Sequence, residues 1–329
     1  MPFWPRTPHN RQPWVVDLKS DTEAVLTCDL NRLLPATDPF GRQIVIGLGC
    51  FLETFVLAAQ EQGYRAEIDH FPEGGSAGAL DNRPIAHFAL TKDAGLAPDR
   101  LFSQVLRRRT NRGAYDVNRP IADNVLRNLH QFASPDVRIA TIGRGARLQQ
   151  LRALTRDAMF GEMKTPKAHK ESIDLMRIGR SEIEANPDGI SLGGPFLEAL
   201  SLTGMLTRET LSDPSSAAFR TGLDMIEKGA MSSMGFVWIN TDGNSRSGQI
   251  AVGRAYMRIC LQATADGLAM QPMSQVLQEY PEMAKFYETA HTWLTDQPSE
   301  RVQMLARLGH TKAVQAAPRW PLATRLREV

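Results

Sequence analysis

Residues 46–63, IGLGCFLETFVLAAQEQG, return in altered form 204 residues later as IAVGRAYMRICLQATADG, residues 250–267. In the first stretch Leu48, Phe51, Leu52, Phe55, Val56 and Ala59 fall at helical spacing on one face, which predicts a helix over 47–61 closed by Gly63. In the second, Val252, Ala255, Tyr256, Ile259, Cys260 and Ala263 keep the same register, predicting a helix over 250–266 that ends at Gly267. Ile46 matches Ile250, Gly49 matches Gly253, Leu57 matches Leu261 and Ala59 matches Ala263. Each helix leads through a short linker to a proline, Pro72 or Pro272. Two such helices imply a repeated half of about 150 residues, an ordinary domain size. Two copies in one chain would imitate a two-fold dimer.

Working outward, Trp14 to Leu18 and Ala24 to Asp29 read as strands joined by a polar turn, and Ile85 to Leu90 as another. The Gly/Pro/Asp-rich stretch from Pro72 to Pro84 reads as a loop. Residues 98–109 read as a helix ending in a basic cluster, and residues 145–183 as mainly helical. Residues 188–218 read as irregular, Phe236 to Asn240 as a strand, and Ser245 to Gly248 as a polar loop. From Arg307 onward the chain reads as a basic, extended tail.

The 329 residues carry 38 basic and 36 acidic side chains, a net charge of +2, which does not favour nucleic acid or a membrane surface as partner. No apolar run approaches a membrane span. The start, MPFWPRTPHNRQPW, has no hydrophobic segment of signal-peptide type, so the expected address is the cytoplasm. Cys28, Cys50 and Cys260 are scattered, and the histidines show no ligand spacing, so no metal site is expected. Gly143-Arg144-Gly145 lacks the remaining elements of a dinucleotide fingerprint and reads as a turn.

Three stretches carry possible chemistry. Arg107-Arg108-Arg109-Thr110-Asn111-Arg112-Gly113-Ala114-Tyr115 offers guanidinium forks and a hydroxyl, the donors that a phosphate needs. On spacing alone a solvated helix end is the commoner reading of such a run. Thr7-Pro8-His9-Asn10-Arg11-Gln12-Pro13-Trp14 suits either a rigid segment against a planar ligand or a plain strand entry. Gly267 to Gln275 is a helix-capping glycine followed by an extended turn, which either exposes backbone N–H groups or merely punctuates the chain.

Together these stretches resemble the FMN-dependent nitroreductase family, and more closely its Acg-like branch, in which one chain carries two nitroreductase halves. Arg108, Thr110, Arg112 and Tyr115 stand in the family's R-x-S-x-R/K phosphate motif and its following aromatic. Thr7, His9, Asn10, Gln12, Pro13 and Trp14 match its flavin-flanking P-S-x-H/T-N-x-Q-P-W loop, with Arg6 and Thr7 replacing the Pro and Ser. Gly267 and Pro272 to Gln275 match the turn over the flavin ring, and Pro318-Arg319-Trp320-Pro321 resembles a closing arginine segment. The first half carries the N-x-Q-P-W loop and the second the arginine motif, so the resemblance implies one composite site. It also implies a helix ahead of the loop, whereas the sequence begins almost at the loop.

The resemblance implies an α+β fold: two helix-covered, mixed or antiparallel sheets related by a pseudo-two-fold axis. Residues 1–95 would form the first half and 96–329 the second, with 188–218 as a candidate lid bearing Phe196, Leu197, Leu200, Met205 and Leu206. The implied cofactor is FMN, held by Thr7, Pro8, His9, Asn10, Arg108, Arg109, Thr110, Arg112, Pro272, Met273, Ser274, Gln275 and Arg319. Arg112 would lie near N1 and O2 of the ring, and the backbone of Met273 to Gln275 over N5. No acid–base side chain is required, because the flavin does the chemistry. The implied reaction passes electrons from NAD(P)H to a nitroaromatic, quinone or similar small acceptor, in a monomer acting as an internal pseudo-dimer. The alternative is a flavin-sequestering protein with little turnover.

Overall fold

A computed structural model describes residues 6–75 and 78–328. The first half of the chain gives β1 (Trp14–Leu18), β2 (Glu23–Cys28), α1 (Arg42–Glu61), β3 (Tyr64–His70), β4 (Ala86–Lys92), α2 (Asp123–Asn128) and β5 (Arg138–Ile142). A helical excursion follows: α3 (Ala146–Lys164), α4 (Pro166–Asp174), β6 (Met176–Ile178), α5 (Gly179–Ala185), β7 (Ile190–Leu192), α6 (Pro195–Leu202), α7 (Arg208–Ser212) and α8 (Ala217–Met231). The chain closes with β8 (Gly235–Asp242), α9 (Arg246–Ala265), β9 (Ala269–Pro272), α10 (Ala284–Leu294), β10 (Glu300–Gly309) and β11 (Leu326–Glu328).

The two helices read from the sequence are α1 and α9, each of 20 residues. Their bounds differ throughout by the same offset as their sequences. α1 starts five residues earlier than expected, at Arg42, and is long and apolar enough to cross a membrane by length and composition. Here it is instead a core element, buried along most of its length as a helix apolar on nearly every face must be. The helices cross backbone to backbone at their glycines. A Cβ on Gly49 would stand 2.4 Å from the Ile250 carbonyl oxygen, and one on Gly253 would stand 2.1 Å from that of Ile46. Glycine is required at both places because no side chain fits. The contact is reciprocal, as across a two-fold interface.

The sheets repeat the same relation. Of the two large sheets, one has the order β11-β1-β2-β4-β3 and the other β5-β8-β10-β9, while β6 and β7 form a small parallel pair apart from both. Setting β1, β2, β3 and β4 against β5, β8, β9 and β10 gives the same strand order, antiparallel at every shared pairing. The fold is therefore α+β with two helix-covered sheets. The first sheet adds one parallel strand, β11, from the far end of the chain (Val16 opposite Leu326). The final residues thus belong in space with the first half rather than the second. In β10 the register slips between Val302 and Met304, leaving Gln303 as a bulge.

Several local expectations change. Residues 98–109 form no α-helix. Asp99 caps Leu101 N–H at 2.9 Å, a single 3-10 turn follows at Phe102–Gln104, and the chain then bridges Thr110 to Met270 of β9. Tertiary pairing overrides local helical propensity there. Ser245 is the N-cap of α9, accepting from Gly248 N–H at 3.1 Å, so the expected polar loop is the first turn of the helix. Residues 188–218 contain β7, α6 and α7 and are not irregular throughout. Arg307 is no part of a loose tail. It lies fully buried in β10, donating to Gln271 Oε1 at 2.7 Å and to the carbonyls of Gly229 and Gly113 at 2.6 and 2.7 Å. Its guanidinium lies 3.9 Å from the centre of the Tyr115 ring.

Candidate functional site

The loop before β1 has an uncommon backbone. His9, Asn10 and Gln12 have φ of 44°, 53° and 51°, in the left-handed region that few non-glycine residues adopt. Holding such residues costs about 1–3 kcal/mol each, so the surroundings must fix them. Thr7 does much of this: its carbonyl accepts from Asn10 N–H at 3.2 Å and its hydroxyl from Gln12 N–H at 3.2 Å. The loop also sits on α1 at Gly47, where a Cβ would stand 3.1 Å from both Arg6 O and Thr7 Cγ2. Gln12 is buried, donating to Pro187 O at 2.8 Å and accepting from Trp320 N–H at 3.0 Å.

The arginine stretch comes to this loop from the other half. Its Thr110 bridge to Met270 turns the chain so that Arg108 is buried. Arg6 joins the two parts. Its Nη2 donates to Thr110 Oγ1 at 2.8 Å and its Nη1 to Cys260 Sγ at 3.0 Å, with its guanidinium 5.1 Å from the centre of the Tyr256 ring. Arg319 arrives from the tail and donates to Asn10 Oδ1, while Asn10 Nδ2 donates to Pro318 O at 3.0 Å. Arg109 turns its guanidinium back onto the carbonyls of Leu106 and Arg108 at 2.6 and 2.8 Å.

Several cations crowd together around this junction, and burial and mutual repulsion lower their protonation equilibria. Burial, followed by the charge of Arg6, lowers Arg108 to about 10. Burial, followed by Arg108, Arg109 and Arg6, lowers Arg319 to about 9. Arg112 is also lowered, by burial and then by Arg6, with Glu162 opposing. It is accessible to water although protein surrounds it, as expected for a side chain lining a cleft. Guanidinium groups stay protonated in proteins, so crowding them together favours a bound anion over proton loss. His9 is lowered to about 4 by burial and then by Arg112 and Arg11, so it is neutral at neutral pH.

The third stretch is the turn after β9, next to the Thr110–Met270 bridge. Pro272 pairs with Ala306, and Met273 N–H donates to Leu305 O at 2.8 Å, so this amide is used in the sheet. The Met273 side chain is buried with those of Val276 and Leu277 in the core. Ser274 and Gln275 open the 3-10 turn Ser274–Leu277, whose first N–H groups lack intrahelical acceptors. Behind it Glu162, on α3, accepts from Gln278 Nε2, and Gln275 Nε2 stands 3.5 Å from its other oxygen.

No family model matches the chain. Among curated proteins it is 24% identical over 282 residues to Rv3131 of Mycobacterium tuberculosis, which bears a provisional NAD(P)H nitroreductase name, covering 82% of this chain and 73% of that one. It is 38% identical over 64 residues to Acg of the same organism, also provisionally named an NAD(P)H nitroreductase, covering 20% and 19% of the two chains. The chain is thus similar to proteins with nitroreductase names over most of its length, and to Acg over one short stretch. Among solved structures, the FMN and NADPH-dependent nitroreductase NfnB of a Sphingopyxis strain aligns at 15% identity and a TM-score of 0.41, over 68% of this chain and 96% of that one.

Thr7, Pro8, His9, Asn10, Arg108, Arg109, Thr110, Arg112 and Arg319 thus converge, linked by hydrogen bonds or by their mutual charge effects. Gln275 is not joined to them by any hydrogen bond among the described residues; its side chain stands 3.5 Å from Glu162. Arg107, outside the motif, is exposed. The sequence reading treated Arg6 only as a departure from the family loop, yet Arg6 joins the two halves of the site; a cation immediately before the loop was the available signal. Glu162, Gln278 and Tyr256 gave no local signal, because only the fold brings them near.

Proposed function

We propose that this chain is an FMN-dependent oxidoreductase that takes electrons from NAD(P)H and passes them to a small acceptor such as a nitroaromatic or a quinone. The observation that carries the reading is the convergence of Arg6, Arg108, Arg112 and Arg319 on one strained loop. The donor set suits FMN: Arg108, Thr110 and Arg319 for the phosphate, with Arg6 fixing Thr110 from behind. Beside Arg6 the hydroxyl of Tyr256 is buried with no hydrogen-bond partner among the described residues, a spare polar group at the site. Bound FMN would supply the hydride chemistry. The protein's part is to hold the phosphate, to keep His9 neutral beside the cations, to place Arg112 where charge develops, and to exclude water with the loop and tail. NAD(P)H and the acceptor would use the cleft in turn.

A second reading, flavin storage with little turnover, draws on the ties across the cleft. The tail is bound to the loop at Asn10 and Gln12. Asp188, at the start of the candidate lid, accepts from Arg177 and Arg32 at 2.7 Å each and from Trp320 Nε1 at 3.3 Å. The five apolar lid residues named from the sequence are less engaged: Phe196 and Met205 are exposed and, of the five, only Leu206 is buried.

Purified protein tests both readings. Titration with FMN should saturate near one equivalent in a monomer, with NAD(P)H bleaching the flavin absorbance and an acceptor restoring it. Bound FMN that NAD(P)H does not reduce supports storage, and a protein that ignores FMN overturns both. The cytoplasm is the compartment that suits this reaction.

A further inference from the structure

The chain beyond β10 crosses the loop before β1 as a strap. Residues 311–317 are exposed, and Pro318, Arg319 and Trp320 are half-buried against the loop. Among the described residues, 311–320 make no backbone–backbone hydrogen bond to any other element. Side chains tie the strap instead. Asn111 Nδ2 donates to Lys312 O at 2.9 Å, Asn10 Nδ2 to Pro318 O at 3.0 Å, Arg319 to Asn10 Oδ1, and Trp320 N–H to Gln12 Oε1 at 3.0 Å. A cavity of about 450 Å³ is lined by Gln12 and Trp14 on one side and by Pro318, Trp320 and Leu322 of the strap on the other. A strap that spans a cavity gains little from apolar packing, so its polar ties decide how often it opens.

The densest of these ties is at Trp320. The guanidinium groups of Arg32 and Arg325 stand 5.6 and 5.9 Å from its ring centre. Its indole Nε1 donates to Asp188 Oδ2 at 3.3 Å. Asp188, buried in the turn between α5 and β7, also accepts from Arg32 Nη1 and Arg177 Nη2 at 2.7 Å each, with Arg11 Nη1 3.9 Å away. Beside it, Pro187 O accepts from Gln12 Nε2 at 2.8 Å. One short turn therefore holds the indole of Trp320 directly and its backbone N–H through Gln12. Burial opposes the charge, but hydrogen bonds from Arg177, Trp320 and Arg32 hold the Asp188 carboxyl below the ordinary carboxylate range. Without that charge three guanidinium groups would crowd together uncompensated.

We propose, resting on the flavin reading above for what passes the strap, that Asp188 is a positioning residue and the catch of a gate: it holds Trp320 down, keeps the adjacent Arg319 against Asn10, and sets how often the strap lifts to let FMN enter or leave. A closed strap blocks passage both ways, so the open fraction scales association and dissociation alike.

The catch is read first without cofactor, by amide hydrogen exchange. Trp320→Phe keeps a ring beside the two arginines and removes only the Nε1 donor. It should speed exchange at position 320 by about tenfold, the worth of one charge-assisted hydrogen bond, and Asp188→Asn should speed it further, while the amides of α1 keep their wild-type rates. Unchanged exchange at position 320, or acceleration spread equally over α1, overturns the catch. Stopped-flow mixing with FMN then reads the gate. Association and dissociation should quicken together in both variants. Faster dissociation with unchanged association makes Asp188 an ordinary stabilising contact and overturns the gate. If Asp188→Asn does not fold, Trp320→Phe decides both measurements. A wild type that ignores FMN overturns the flavin reading and the gate together, whereas FMN bound at wild-type rates by variants with faster exchange overturns the gate alone.

Discussion

Gly47 on α1 and Ala251 on α9 occupy equivalent places on the two central helices, yet their surroundings differ. The strained loop crosses Gly47 so closely that a Cβ there, 3.1 Å from Arg6 O and Thr7 Cγ2, would push the loop, whereas Ala251 carries its methyl group against the second core. The same contrast continues along the helices. Tyr256 and Cys260 of α9 receive Arg6, and their counterparts on α1 are Leu52 and Val56, which cannot bind a guanidinium. Leu52 is fully buried in the first core. On that side Arg254 and Arg258 of α9 are neutralised by Glu53, and Arg258 also by Asp99 at 2.8 Å. One end of the helix pair is built around cations; at the other, apolar packing and ion pairs take up the space. A repeated scaffold can therefore carry a single site, because the frame depends on helix crossing and strand order, while the site depends on a few substitutions at one end.

The largest expected effect comes from the shared frame. Gly253→Ala puts a methyl group 2.1 Å from the Ile46 carbonyl, against rigid backbone. The cost should exceed the ~1–3 kcal/mol usual for overpacking, and thermal melts should show a large loss of stability or no folded protein. A melting temperature unchanged from wild type would break the reciprocal-crossing account.

Next come the cations at the occupied end. Arg108→Ala and Arg319→Ala should each remove a charge-assisted contact worth about 1.5–3 kcal/mol, so FMN affinity should fall about tenfold to a hundredfold in fluorescence titrations. Arg107→Ala should change little. Small, equal and salt-sensitive losses at all three positions would point to a diffuse basic patch instead.

A smaller and more discriminating pair is Gly47→Ala with Ala251→Gly. The first should weaken FMN binding several-fold by shifting the loop, with little change in melting temperature. The second should leave FMN binding intact and cost stability of about 1 kcal/mol, the helix-propensity difference between the two residues. Matching effects on binding would erase the distinction between the ends.

The smallest effect concerns pH. His9 falls from the ordinary value of 6.5 to about 4 in the folded protein. Between those values the unfolded chain binds a proton that the native state does not, so stability declines as pH falls from about 6.5 to about 4. His9→Gln should flatten that part of a stability-against-pH curve measured by urea denaturation, and an unchanged slope would remove His9 from the cationic cleft.

Much of the frame was legible because it rests on local pattern. The apolar stripes of α1 and α9, the closing residues Gly63 and Gly267, and strands β1, β2, β4 and β8 follow from periodicities that neighbouring residues set. β3 was not read: its alternation is carried by charged residues on an edge strand with little apolar contrast. Residues 98–109 misled for the opposite reason, a good helical composition overruled by the pairing of Thr110 with Met270. In the site, the arginine stretch and the Thr7–Gln12 loop could be named, but not their junction through Arg6.

The sequence by itself determined the repeat, the two helices with their paired glycines, and the two stretches suited to an anion and a planar ligand, since each depends on residues close together in the chain. Only the tertiary structure decided that Arg319 meets Asn10, that Arg6 bridges Thr110 and Cys260, that Gln278 donates to Glu162, and that β11 returns to the first sheet. Those pairings join residues more than a hundred positions apart. No local propensity encodes them; they form because burying two cores around the α1–α9 crossing leaves the chain few other ways to close.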